Sequence, residues 1–241
     1  MSVRTWSQTW ALWQTLFARE WIVYRKRMGG LLLNLIIVQP LTFSLVQGYI
    51  KPLMYFGDKM ARTGSFVLYG AVLMPFIHRS FSFAMALFFD LHTQKNILYQ
   101  RQWVPDSIIY SVRLVFSILL AWAMMVPLLP LAWLYLGEYL YTADAQWHLL
   151  IPILGVIAAM MVCYAFMCIS IARSLHDVTK IRVRINEILM WLGGFNVPWF
   201  AMYKSWPGWG YVALLNPFVY ATEAIRQVMV PGPEFFPFTT S

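Results

Sequence analysis

The chain has 241 residues, 60% of them hydrophobic and only 12% charged, against roughly 45–50% and 25% in an ordinary soluble domain. That balance excludes a soluble globular domain and defines a polytopic membrane protein. The net charge of +8 does not indicate nucleic acid as a partner, because the basic residues lie in separate segments that alternate along the chain.

From the amino terminus, Trp6, Trp10, Trp13, Phe17, Trp21 and Tyr24 recur at steps of four, three, four, four and three, which draws one aromatic stripe down a helix. Gln8, Arg19 and Lys26 fall on its opposite side. Tryptophan and tyrosine favour the headgroup level and basic residues favour an anionic cytoplasmic leaflet. Residues 1–27 are therefore expected to form a cytoplasmic amphipathic helix in the interface plane, although packing of the stripe on a helical bundle is equally compatible with the pattern. The first long apolar run begins only after Arg27 and lacks a small-residue cleavage pattern, so it is expected to remain as a span.

A helix needs about 20 apolar residues to cross the hydrocarbon core, and spans are expected at 28–50, 64–89, 107–137, 147–172 and 188–203. The expected fold class is an all-α integral membrane protein, a helical bundle of five evident spans within one transmembrane domain, 28–241. A further apolar stretch, 205–222, is broken by Pro207, Gly208, Gly210 and Pro217, each of which weakens a continuous helix. It reads as re-entrant or surface helices before the carboxy terminus.

Between the second and third spans lies a polar island, 90–106, mixing Asp90, His92, Lys95, Arg101 and Asp106 with Ile97, Leu98, Tyr99 and Trp103. It is too amphiphilic for a merely solvated loop and reads as a short docking helix, with an ordinary interhelical loop as the other reading. Pro105 marks its end, and Asp106 or Ser107 is placed to cap the next helix. Segments on the side of the amino terminus and the island carry twelve basic residues, those on the other side five. Lys and Arg near span ends are retained in the cytoplasm, so the amino terminus is expected there.

Catalytic and metal-binding patterns are missing from the sequence. Cys163 and Cys168 lie in one span on different faces, and His78, His92, His148 and His176 lack metal-ligand spacing. No G-x-x-x-x-G-K-S/T loop exists to cradle nucleotide phosphates. The exception is Arg79 beside His78, since a guanidinium deep in a span costs about 2.5–3.5 kcal/mol on insertion scales and needs a cavity or a partner. Asn34 and Gln39 in the first span are possible polar partners. Asn34, His78 and Arg79 are thus candidates to line a translocation path, with a purely structural role for Arg79 as the alternative.

The carboxy-terminal stretch LGGFNVPWFAMYKSWPGWGYVALLNPFVYATEAIRQVM joins a small-residue turn, a proline, a Trp-Pro pair and then asparagine, proline, aromatic, glutamate, alanine and arginine. Here these are Gly193, Gly194, Pro198, Trp206, Pro207, Asn216, Pro217, Tyr220, Glu223, Ala224 and Arg226. In this, and over nearly its whole length, the chain resembles the membrane-spanning permease subunits of ABC-2 type ABC transporters, the exporters of polysaccharides, lipid-linked glycans and drugs.

The resemblance implies a permease of the cytoplasmic (inner) membrane with six spans. It would act as a homodimer or pseudo-dimer with two ABC ATPase subunits, which carry the ATP and Mg, and this chain would need no cofactor of its own. It further implies that the amino-terminal helix is the interface helix and that the island is the coupling element, with Lys95, Leu98, Tyr99, Arg101 and Trp103 seated on the ATPase. Two departures stand out. The usual glycine after the start of the island is replaced by Gln94, Lys95 and Asn96, and after Arg226 only QVMVPGPEFFPFTTS follows, too short for a sixth span. A chain ending ahead of that helix is expected, rather than a member lacking it. The rival readings are a membrane-embedded transferase, for which histidines or Asp-His pairs would have to converge, and a non-transporting membrane scaffold subunit.

Overall fold

The computed structural model describes residues 6–26, 29–30, 38, 42, 46, 50, 65, 68–92, 104–137, 145–172 and 174–230. Among them every regular element is helical: α1 (Trp6–Arg25), α2 (Met74–His92), α3 (Asp106–Met125), α4 (Leu128–Leu136), α5 (Trp147–Ile171), α6 (Leu175–Lys180), a π-helical turn (Ile181–Ile185), α7 (Asn186–Leu192), α8 (Trp199–Ser205), α9 (Pro207–Ala213) and α10 (Pro217–Met229).

Three helical stretches are long and apolar enough to cross a bilayer: Leu68–Asp90, Asp106–Leu136 and Trp147–Ile171. They correspond to the second, third and fourth expected spans. The expected first span, 28–50, lies almost wholly outside the described residues.

The middle of the bundle is α5, which packs against α2, α3 and α10. Its Ala158, Val162 and Ala165 are fully buried, and Ala84 of α2 and Ala121 of α3 are nearly so. Lipid tails are as apolar as leucine, so small side chains that let backbones approach closely are what hold such helices together. The Trp122 indole of α3 donates to the Ile151 carbonyl of α5 at 2.9 Å, which satisfies a donor that hydrocarbon would leave bare. Cys168 is buried in this packing while Cys163 faces outward.

Two expected spans are divided. The third turns at Val126–Pro127, where the proline lacks an N–H to continue the helix, and resumes as α4. The fifth departs further from expectation. Its helical path starts at Leu175 rather than 188, passes Lys180, Arg182, Arg184 and Glu187, and stops at Leu192. Residues 188–203 are therefore not one helix. Gly194 sits at φ +74°, open at low cost only to glycine, and Pro198, itself extended at ψ 148°, disfavours helix at the residue before it. Beyond the break, α8 and α9 have seven residues each, about 10 Å of helix, too short to cross. They pack on one another, and the Trp199 indole donates to the Gly210 carbonyl at 2.8 Å.

Helix starts follow local chemistry. Ser174 opens α6 with a capping box: its hydroxyl accepts the Asp177 N–H while the Asp177 carboxylate accepts the Ser174 N–H, both at 3.1 Å. By contrast α3 begins at Asp106 with Pro105 in the capping position and no side-chain cap, so neither Asp106 nor Ser107 plays that part.

Part of the aromatic stripe of α1 packs on the bundle. Phe17 meets Phe116 of α3 edge-on at 5.4 Å, and Tyr24 meets Phe116 at 5.7 Å and Phe83 of α2 at 5.9 Å. Trp6, Trp10 and Trp21 face outward, Trp6 by 83% of its surface. One part of the stripe thus seats α1 on the bundle, and the other leaves its tryptophans uncovered.

Candidate functional site

Two charged networks stand at opposite ends of the span Leu68–Asp90. At its start, α10 reaches the break that follows α7. Asn216 caps α10, its Oδ1 accepting the Phe218 N–H at 3.0 Å while its Nδ2 donates to the Leu189 carbonyl at 2.7 Å. Pro217 takes the first helical position, where its missing N–H leaves no bond unmade. Three and four residues are the neighbour spacings on a helix face, so Thr222, Glu223 and Arg226 project together toward the break.

There Arg226, with none of its surface exposed, pairs through Nη1 with Glu223 Oε1 at 2.7 Å. Its Nη2 donates to the Gly194 carbonyl at 2.5 Å and the Phe195 carbonyl at 3.4 Å. The Thr222 hydroxyl donates to the Gly193 carbonyl at 3.0 Å. Glu223 Oε1 also accepts the Trp199 N–H at 2.9 Å. Three consecutive carbonyls and one helix-terminal N–H are thereby satisfied from α10. Non-helical backbone inside a membrane protein requires this kind of compensation. Space for the guanidinium comes from Gly70, where a Cβ would fall on Arg226 and stand 2.8 Å from the Phe195 carbonyl.

At the other end, Arg113 of α3 ties three elements together. Its Nε donates to Glu20 Oε1 of α1 at 2.9 Å and its Nη2 to Asp90 Oδ2 near the end of α2. Asp90 opens the 90–106 island and Arg113 lies two turns past its end, so one guanidinium fastens both flanks of the island to α1. Burial pushes the Glu20 carboxyl above its ordinary range; Arg113 and Arg19 pull it back, and the Asp90 charge adds to the push. Because its folded pKa is raised, Glu20 contributes stability when protonated and loses that contribution as pH rises through the shifted value. Glu20→Gln is therefore expected to melt with wild type below the usual carboxylate range and at a higher temperature than wild type above the raised value. Paired melts from pH 4 to 8 check this, and a constant offset across the series would contradict it.

Of the residues singled out from sequence, Gly193, Gly194, Pro198, Asn216, Glu223 and Arg226 converge on the α10 network, Pro198 by placing Trp199 at the start of α8. Tyr220 turns outward, its hydroxyl donating to the Leu214 carbonyl at 2.9 Å. His78 and Arg79 lie midway along the span Leu68–Asp90, far from both networks. Asn34, Lys95, Leu98, Tyr99, Arg101 and Trp103 fall outside the described residues. Sequence reading gave no role to Gly70, Glu20, Thr222 or the Arg113 link. A carboxylate on the packed side of α1, between Phe17 and Tyr24, was the available sign for Glu20.

The chain matches the family described as ABC-2 type transporter over residues 11–230, and it belongs to that family. It is thus the membrane-embedded permease component of an ABC transporter, a class that works with an ABC ATPase. Neither a curated protein nor a solved structure matches it.

Proposed function

We propose that the chain moves an amphiphilic or glycan- or lipid-linked substrate out across the cytoplasmic membrane by alternating access, as two permease copies driven by two separate ABC ATPase subunits. The observation supporting this is the open face of α2. Midway along the span, His78 and Ser82 are exposed and Arg79 is half-buried, and Arg79 makes no ion pair with a described residue. A mid-span guanidinium costs about 2.5–3.5 kcal/mol in lipid, so such residues face a bundle interior or a water-filled cavity. On the surface of one copy, that face is suited to a route shared with a second.

In this reading the amino terminus is cytoplasmic, residues 1–27 lie on the membrane surface, and the 90–106 island seats on the ATPase through Lys95, Leu98, Tyr99, Arg101 and Trp103. Arg79→Leu, assayed in vesicles with the partner ATPase, is expected to abolish export while the protein stays folded. Arg79→Lys should restore only part, because lysine lacks the planar fork that holds two acceptors. Full export by the leucine variant, with unchanged or higher thermal stability, would remove Arg79 from the route. Tyr99→Ala and Trp103→Ala should leave insertion intact and uncouple ATP hydrolysis from transport.

A further inference from the structure

A cleft of about 280 Å³ opens where α1, α2 and α3 meet, lined by Arg19, Glu20, Tyr24, Phe83, Asp90 and Arg113 among others. Its lining is graded. On α2 the order from membrane to edge is Phe83, Ala86, Asp90, and on α3 it is Ser117, Phe116, Arg113. On each helix the charged residue lies nearer the island, and aromatic or small side chains lie one to two turns further in. That gradient matches an amphiphile standing upright, headgroup outward and chain inward. The volume is slightly below the roughly 300 Å³ of the smallest ligand pockets, so a headgroup and its first carbons fit where a whole lipid does not.

Counting charge narrows the headgroup. Arg113 is committed to Glu20 and Asp90, whereas Arg19 makes no ion pair with a described residue. The Asp90 side chain keeps 43% of its surface exposed. Among the described residues that line the cleft, these four groups carry two positive and two negative charges when ionised, so a headgroup bearing one phosphate and one ammonium leaves that balance unchanged. A singly anionic headgroup leaves an uncompensated charge at the membrane edge.

From this we infer that the cleft holds one phosphatidylethanolamine-type lipid of the adjoining leaflet, its phosphate on Arg19, its ammonium on Asp90, and the start of its chains on Val23, Tyr24, Phe83 and Phe116. The proposed topology enters only in naming the cytoplasmic leaflet as the source. The lipid completes the seat of α1 on the bundle.

Native mass spectrometry of the full chain, released from micelles containing equimolar phosphatidylethanolamine and phosphatidylglycerol, tests this without ATPase or transport. One phosphatidylethanolamine should be retained in preference. Arg19→Gln, which breaks no ion pair among the described residues, should weaken retention about tenfold, the order expected for one charge-assisted contact. Asp90→Asn should abolish the preference between the two lipids. Soluble phosphoethanolamine at the same concentration should not displace the lipid. Equal retention of both lipids, or retention unchanged in Arg19→Gln, would overturn the assignment. Displacement by soluble phosphoethanolamine would overturn the lipid as the source and leave a free headgroup as the ligand.

Discussion

Arg226→Leu is expected to destabilise the protein by about 3–5 kcal/mol, the range for removing one partner of a buried ion pair. In a chain of this size that is a fall of roughly 6–20 °C in the melting midpoint. Two effects add. Among the described residues the Glu223 carboxylate keeps only the Trp199 N–H, and the Gly194 and Phe195 carbonyls lose the guanidinium that now serves both. Replacing Arg226 and Glu223 together by apolar residues removes the stranded charge and should recover part of the loss. It cannot recover all of it, because the carbonyls and the Trp199 N–H stay bare. Gly70→Ala should reproduce much of the Arg226→Leu defect from a distant helix, since the added methyl occupies the guanidinium's place. A midpoint for Arg226→Leu within a degree or two of wild type would show that α10 does not hold the break.

The second large effect is expected at Arg113. Arg113→Glu places three carboxylates together and should abolish ATP-driven export with the chain still inserted. The exchanged pair, Arg113→Glu with Glu20→Arg, restores opposite charges at the 113–20 contact and leaves the new carboxylate at 113 beside Asp90. Export should return in part, and the cycle should give a coupling of about 1–3 kcal/mol between the two sites. This is less than for a fully buried pair, since solvent reaches Asp90. No recovery of either export or stability in the exchanged pair would mean that the Glu20 contact does not carry the effect of Arg113.

The class of fold was legible because hydropathy alone marks long apolar runs, and three of the five, Leu68–Asp90, Asp106–Leu136 and Trp147–Ile171, are helices close to where they were expected. The fifth run misled because Ile188 to Tyr203 is apolar on both sides of its break. Hydropathy does not register that Gly194 takes a positive φ or that Pro198 disfavours helix at the residue before it. The backbone signals decided the outcome, and Ser174 with Asp177 already announced a helix start upstream. At the α10 network the spacing of Glu223 and Arg226 was visible as an i,i+3 pair on one helix. Their engagement with Gly70 was not, because a glycine has no side chain to announce a neighbour so far away in the chain. The Arg113 link was hidden for the same reason of distance: Glu20, Asp90 and Arg113 belong to separate helices, and the count of basic residues used Arg113 only to place a side of the membrane and left both carboxylates out.

Arg226 also has a bearing on biosynthesis. Chains grow from the amino terminus, so Gly70, the bend at Gly194 and the start of α8 are all made before α10 exists. Until residue 226 leaves the ribosome, the Gly194 and Phe195 carbonyls have no guanidinium to receive, and the Trp199 N–H has no carboxylate. The nascent protein therefore passes through a stage in which its central spans are complete but one end of the bundle carries exposed backbone dipoles. A chaperone or protease that recognises bare polar backbone in a membrane can tell an unfinished copy from a finished one at this place, and a translation product halted before Arg226 is the form it should remove first.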